Sequence, residues 1–257
     1  MQWMGYGSDD AVTVDRKHHV ANVLSASAFE AARQYRKIGR PVERGEWDMT
    51  PPTVNAYYNP LLNEMVFPAG ILQPPLFSRE APAPANYGAI GMVMGHELTH
   101  GFDDEGRQFD AQGNLREWWT PAVVKAYEEK ADCVANQYDG YIAVDDLHVN
   151  GKLTLGENIA DMGGIKLAHE ALAARHGQQQ GGDVDGFTEE QRFFLGFAQA
   201  WCTKRRPEMA RNLVTVDPHS PSQVRVDGPL RNLPAFARAW SCPAGSPMAP
   251  ASSCQVW

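Results

Sequence analysis

The chain has 257 residues, 43% hydrophobic and 21% charged, with a formal net charge of −8. That is room for one large domain or two small ones of ordinary globular composition. The acidic balance speaks against nucleic acid or an anionic membrane as partner, because both call for a basic face, and no apolar run approaches the roughly 20 residues of a membrane span. The start, Met1-Gln2-Trp3-Met4-Gly5, lacks a basic stretch followed by an apolar core, so no signal peptide is expected. Cys133, Cys202, Cys242 and Cys254 show no C-x-x-C spacing. By count alone, disulfides and buried thiols are both open.

Residues 10–38 read as a helix, with Val20, Val23, Leu24, Ala28 and Ala31 at helical spacing. Asp9 and Asp10 favour its positive end, and Gly39 with Pro41 stops it. His18 and His19 diverge by about 100° on a helix and read as a solvated pair. Two β-rich runs follow, residues 53–58 and 64–67, around an Asn59-Pro60 turn. Pro51, Pro52 and Pro60 mark the first as an edge strand, which can pair with an extended peptide. Residues 68–84 are Pro-rich but apolar enough to read as a packed loop.

The stretch Val93-Met94-Gly95-His96-Glu97-Leu98-Thr99-His100 contains H-E-x-x-H. Residues four apart share a helix face, so His96 and His100 can grip one metal ion. Glu97 sits beside them, placed to take a proton from a water at that metal. A pair of neutral imidazoles suits zinc, which needs at least one further protein ligand. The run Ile90 to Met94 is apolar, so the helix is expected to be buried, and buried histidines and glutamate need partners. One carboxylate of Asp103-Asp104-Glu105 can hold the outer nitrogen of a ligand histidine.

Thr120-Pro121 caps a helix to about residue 137, and Trp118 and Trp119 before it read as core anchors. Glu157 and Asp161 lie four apart on a further helix that runs to residue 175, odd on an apolar face unless they meet cations. His169 and His176 look incidental, and residues 178–185 read as a surface loop. Thr188-Glu189-Glu190-Gln191 is a capping box before an apolar core helix. His219, between prolines, fits a structural histidine and a catalytic donor equally well.

Together these pieces resemble the neprilysin and endothelin-converting-enzyme family of zinc peptidases. The matching stretches are Val54-Asn55-Ala56-Tyr57-Tyr58, Val66 to Pro75, Gly95 to Asp104, Gly156 to Gly164, Ala198 to Pro207, His219-Ser220-Pro221 and Cys254 to Trp257. The resemblance implies an α+β, mainly helical, thermolysin-like (gluzincin) catalytic domain with a small edge-exposed sheet. It implies one catalytic domain over 1–257, matching the C-terminal third of a typical member, without the family's N-terminal helical cap. It implies one zinc held by His96, His100 and Glu157, with Glu97 as general base, and Asp103 and Asp161 behind His100 and His96. Asp161 also has a possible part as proton donor. His219 resembles the oxyanion donor, Arg225 a substrate carbonyl contact, and Asn55 and Ala56 the residues that bind substrate backbone. Ile71, Leu76, Met92, Val93 and Trp201 resemble the lining of an apolar pocket. Cys133 and Cys254 resemble a disulfide pair. Cys202 and Cys242 resemble two cysteines whose partners lie in a missing N-terminal region or on a second chain.

The implied function is a zinc endopeptidase cutting oligopeptides on the amino side of hydrophobic residues, in an extracytoplasmic compartment. The rival is a zinc-loaded, weakly active or inactive peptide-binding fragment. A non-peptidase zinc hydrolase shares the metal site but leaves the Asn55-Ala56 edge without a purpose.

Overall fold

A computed structural model describes residues 12–175 and 182–257. The chain divides into two compact units, Met1–Pro51 and Pro52–Trp257. In the first unit, helix α1 spans His19–Tyr35, shorter than residues 10–38. Asp15 sets its start: its carboxylate accepts from the Lys17 amide at 2.8 Å, and the Asn22 side chain closes back on the Asp15 backbone. Asp9 and Asp10 lie outside the described residues. Charges tie the unit together, through Arg33 with Glu30 and Glu46 and Lys37 with Glu46. No residue of α1 is buried. His18 pairs with Asp15 at 2.8 Å and is exposed, as a solvated histidine should be.

The second unit opens with an antiparallel hairpin, β1 (Tyr57–Asn59) and β2 (Glu64–Val66), in the register Tyr57 opposite Val66. The Asn59 side chain accepts from the Leu61 amide, and Asn63 takes a positive φ, so the turn is built from residues suited to it. The paired strand is shorter than the sequence run: Asn55 and Ala56 precede the pairing. Helix α2 (Ala83–Asn86) continues through one π turn, Tyr87–Gly91, into α3 (Met92–His100). Helix α4 is Pro121–Asp139, with the Thr120 hydroxyl accepting from Val123 at its cap. A second hairpin, β3 (Ile142–Val144) and β4 (Leu147–His148), turns at Asp145. Helix α5 is Leu155–Arg175, and α6 is Glu189–Ala200 with its expected capping box at Thr188 and Gln191. Helices α7 (Pro207–Val216), α8 (Ser222–Arg231) and α9 (Pro234–Ala239) complete the unit. The second hairpin and these last three helices were not read from the sequence: the strands have two or three residues, and the helices are short, two opening on proline and α8 containing Pro229.

Three apolar clusters organise the unit. Met92, Ile165, Leu172, Phe193, Phe194 and Phe197 form one, and Tyr127, Val134, Tyr138, Ile159, Cys254 and Val256 a second. Ala56, Ile71 and Ile90 form a third, with Leu76 and Val93 packed against it. Trp119 joins the second cluster, but Trp118 is 44% exposed and donates to the Arg107 carbonyl, so it is no core anchor. His169 pairs with Glu190 at 2.8 Å and stacks on Phe194, a structural role. His176 and residues 178–181 lie outside the described residues. Cys133 and Cys254 are joined as a disulfide, while Cys202 and Cys242 are free thiols.

Helices α3 and α5 are the most closely packed pair, and glycine makes this possible. A Cβ on Gly164 would lie 2.7 Å from the His96 amide nitrogen and from the Met92 carbonyl, and one on Gly95 would lie 2.9 Å from Gly164 itself. The obstructing atoms are backbone and cannot rotate away. Replacing Gly164 by Ala should therefore push the helices apart and lower stability by about 1–3 kcal/mol, as other overpacked interiors do. A urea midpoint unchanged from the parent would show that the contact relaxes freely.

Candidate metal centre and active site

The H-E-x-x-H residues fall on α3, with His96 and Glu97 buried and His100 half-buried. The two Nε2 atoms are 3.0 Å apart. Glu157, in the first turn of α5, brings Oε2 to 3.3 Å from His96 Nε2 and Oε1 to 3.6 Å from His100 Nε2. Zinc with donors at about 2.0–2.1 Å in tetrahedral array needs donor atoms about 3.3 Å apart. The histidine pair lies slightly inside that spacing, and Glu157 comes close to it with Oε2 toward His96 and Oε1 toward His100. His96, Glu97 and His100 also offer ligand atoms within 4.8 Å of one another. Proximity alone would thus admit Glu97 as a ligand beside Glu157, whose two oxygens each face one ring.

Behind the ligands stand two carboxylates. Asp161 Oδ1 lies 2.9 Å from His96 Nδ1, and Asp103 Oδ2 lies 2.6 Å from His100 Nδ1. Asp103 fixes the outer nitrogen of the His100 ring by a hydrogen bond, and Asp161 pairs with that of His96 by charge, leaving both Nε2 atoms to face the site. Asp103 is itself held by the Glu105 and Gly106 amides. Of its two acidic neighbours, Glu105 is exposed, and burial together with Asp103 pushes the Asp104 carboxyl up to about 6.

The field of the site follows from this crowding. Burial opposes charge on His96, yet Asp161 and Glu157 outweigh it and lift the ring to about 9. Burial likewise opposes charge on Glu157, but His219 and His96 hold its carboxyl well below the usual range. For Glu97 burial outweighs the charges of His96 and His100 and pushes its carboxyl up. Two neighbouring carboxylates are thereby driven apart, one anionic and one ready to carry a proton.

Arg225 on α8 is buried. It pairs with Asp161 through two 2.7 Å bonds, reaches Glu157 at 3.4 Å, and lies over the Trp201 ring at 3.9 Å. His219 places Nε2 3.2 Å from Glu157 Oε1 and Nδ1 2.8 Å from Asp217. The turn carrying it is braced by Ser220, whose hydroxyl donates to the buried Asn158 of α5 at 2.7 Å. Asp217, Asn158 and Ser220 carry roles that sequence reasoning missed. The Asp-x-His spacing, which lets a carboxylate grip the histidine two residues on, was the available signal.

The expected pocket residues are divided. Ile71, Leu76 and Val93 belong to the cluster that also holds Ala56, whereas Met92 and Trp201 belong to the cluster around Phe193. Met92 is 1% exposed. Asn55 is exposed beside buried Ala56.

The fold is shared with solved zinc metalloproteases. Superposition on the Mycobacterium tuberculosis zinc metalloprotease Zmp1, in complex with an inhibitor, gives a TM-score of 0.87 at 44% identity, covering 91% of this chain and 36% of that one. For PepO of Lactobacillus rhamnosis the TM-score is 0.83 at 37% identity, covering 94% and 37%. Endothelin-converting enzyme 1 of Rattus norvegicus is 51% identical over 224 residues, 86% of this chain and 29% of the rat enzyme. An endothelin-converting enzyme homolog of Locusta migratoria is 45% identical over 247 residues, 95% of this chain and 34% of the homolog. The sequence profile of peptidase family M13 matches residues 55–256. The chain belongs to peptidase family M13, and it spans about a third of the length of the curated relatives it matches.

Proposed function

We propose that this chain carries the catalytic machinery of a zinc-dependent endopeptidase that cuts oligopeptides on the amino side of hydrophobic residues. The observation that carries the reading is the convergence of His96, His100 and Glu157 at tetrahedral-edge spacing, with Glu97 buried beside them. Family membership and the likeness to a solved zinc metalloprotease support zinc as the metal. When bound, zinc would polarise the scissile carbonyl and lower the pKa of the attacking water. One ion per chain is proposed, from the single ligand set among the described residues.

Glu97 takes the proton of the attacking water and passes it to the leaving amine, a task suited to a carboxyl whose pKa is raised. His219 donates from Nε2 to the developing oxyanion, with Asp217 fixing its other nitrogen. Asp103 and Asp161 hold the ligand rings. Asp161, locked between His96 and Arg225, serves position better than proton donation. Arg225 keeps Glu157 and Asp161 in place and offers what remains of its guanidinium to a substrate carbonyl. Asn55 and Ala56, leading into β1, hold the substrate backbone extended. The Ile71, Leu76 and Val93 cluster takes the hydrophobic side chain, while Met92 and Trp201 support the neighbouring core. All of these residues lie in Pro52–Trp257, which is the body of the proposed catalytic domain. The disulfide favours an oxidising, extracytoplasmic compartment. Among the described residues no helix is long and apolar enough to cross a membrane.

One observation favours the second reading, a zinc-loaded fragment that binds peptides and cuts them poorly: His219 is 43% exposed, so water competes at the oxyanion position. Incubation with a peptide holding one hydrophobic residue, with and without chelator, decides. Chelator-sensitive cleavage before that residue supports the peptidase; zinc-dependent binding without products supports the fragment. A Glu157→Gln change keeps the shape and removes the charge, so zinc affinity should fall steeply in a competitive chelator titration. Undiminished affinity would move the third ligand to Glu97.

A further inference from the structure

We propose that Lys204, Arg205 and Arg206 form a cationic rim on the active site that selects peptides carrying an acidic residue close to the cleaved bond. The inference rests on the peptidase reading and adds a substrate class to it.

These three residues belong to the irregular segment between α6 and α7, and all three are exposed. The segment is pinned on the site side at two points. Trp201, at its root, lies under the Arg225 guanidinium at 3.9 Å. The Thr203 hydroxyl donates to Ser222, in the first turn of α8, at 2.8 Å. The cations that follow are thereby held near the site rather than left on a loose loop. Arg205 is near enough to Asp217, the carboxylate gripping His219, for its charge to add to those holding that carboxyl low.

Their charge is unspent. Among the described residues none of the three makes an ion pair or a side-chain hydrogen bond, whereas Arg107, Arg116, Arg211 and Arg225 are all paired with carboxylates. Packing does not explain them, because no residue of the segment 202–207 is buried. The surroundings sharpen the contrast. The chain carries a net charge of −8, and Asp103, Glu157 and Asp161 stand at the histidine pair. An acidic peptide approaching such a site would be repelled unless a local positive field offset it. Three adjacent cations, on a segment fastened through Trp201 and Thr203 to the helix that carries Arg225, supply that field.

The test uses the zinc-loaded chain and a set of peptides identical except for one position. Each has a single hydrophobic residue after the cleaved bond, and Glu, Gln or Lys at the second or third place after that bond. Expected is a kcat/KM about tenfold higher for the Glu than for the Lys peptide at low salt, carried by KM and narrowing at high salt. In a Lys204→Glu, Arg205→Glu variant the order should invert, with the Gln peptide reporting folding and zinc loading. Equal rates for Glu and Lys peptides, or a preference that survives the charge reversal, would overturn the rim. Should no peptide be cut, the peptidase reading fails separately. Fluorescence anisotropy of the same labelled peptides then reads the charge preference by binding alone, with the same two outcomes.

Discussion

A Glu97→Gln protein should keep its zinc and lose turnover on a hydrophobic-residue peptide by about 10²–10⁴-fold, the range that a positioned acid–base group supplies. The physical reason lies in the neighbouring carboxylates. Glu157 is held anionic by His219 and His96, whereas at Glu97 burial outweighs the neighbouring charges and raises the carboxyl. Gln fills the same space and preserves α3, but it cannot accept a proton from water or return one to the leaving amine. The effect belongs in kcat, because neither the apolar pocket nor the ligand set changes. Zinc content by mass spectrometry alongside kcat and KM separates the cases. Near-normal turnover would remove Glu97 from the mechanism. Loss of zinc together with activity would make it a ligand.

The second large effect concerns the tail. Replacing Cys133 and Cys254 with Ala should lower stability by up to about 4–5 kcal/mol, since the bond closes a loop with a sequence separation of 121. The consequence should reach the metal. Beyond Cys254, Lys130 donates to the Val256 carbonyl at 2.9 Å, and Trp257 packs against Phe102, Trp119 and Tyr127. Phe102 is two residues past His100. A released tail uncovers the end of α3, so the variant should also give up zinc faster. Denaturant midpoint and the rate of zinc transfer to a chromogenic chelator report the two effects. A midpoint shift with unchanged zinc release would confine the tail to a stability role.

Much of this site was legible because its chemistry is local. H-E-x-x-H needs only helical periodicity to set His96 and His100 on one face, and the i, i+4 pair Glu157 and Asp161 declares itself by being charged among apolar neighbours. The capping box at Thr188 and Gln191 is likewise a contact between residues three apart, and it forms as read. Family resemblance added the pairing of Cys133 with Cys254, which spacing could not supply.

Tertiary structure decided the rest. Glu157 stands at tetrahedral-edge distance from both histidines only because Gly95 and Gly164 let two helix backbones approach without a Cβ between them. Arg225 grips Asp161 because α8 lies across α5, and Met92 turned to the core around Phe193 although its neighbour Val93 packs against the Ile71 cluster. Periodicity along a chain names the face on which a residue lies. What that face meets depends on how closely two backbones can come, and in this protein two missing side chains, at Gly95 and Gly164, set that distance.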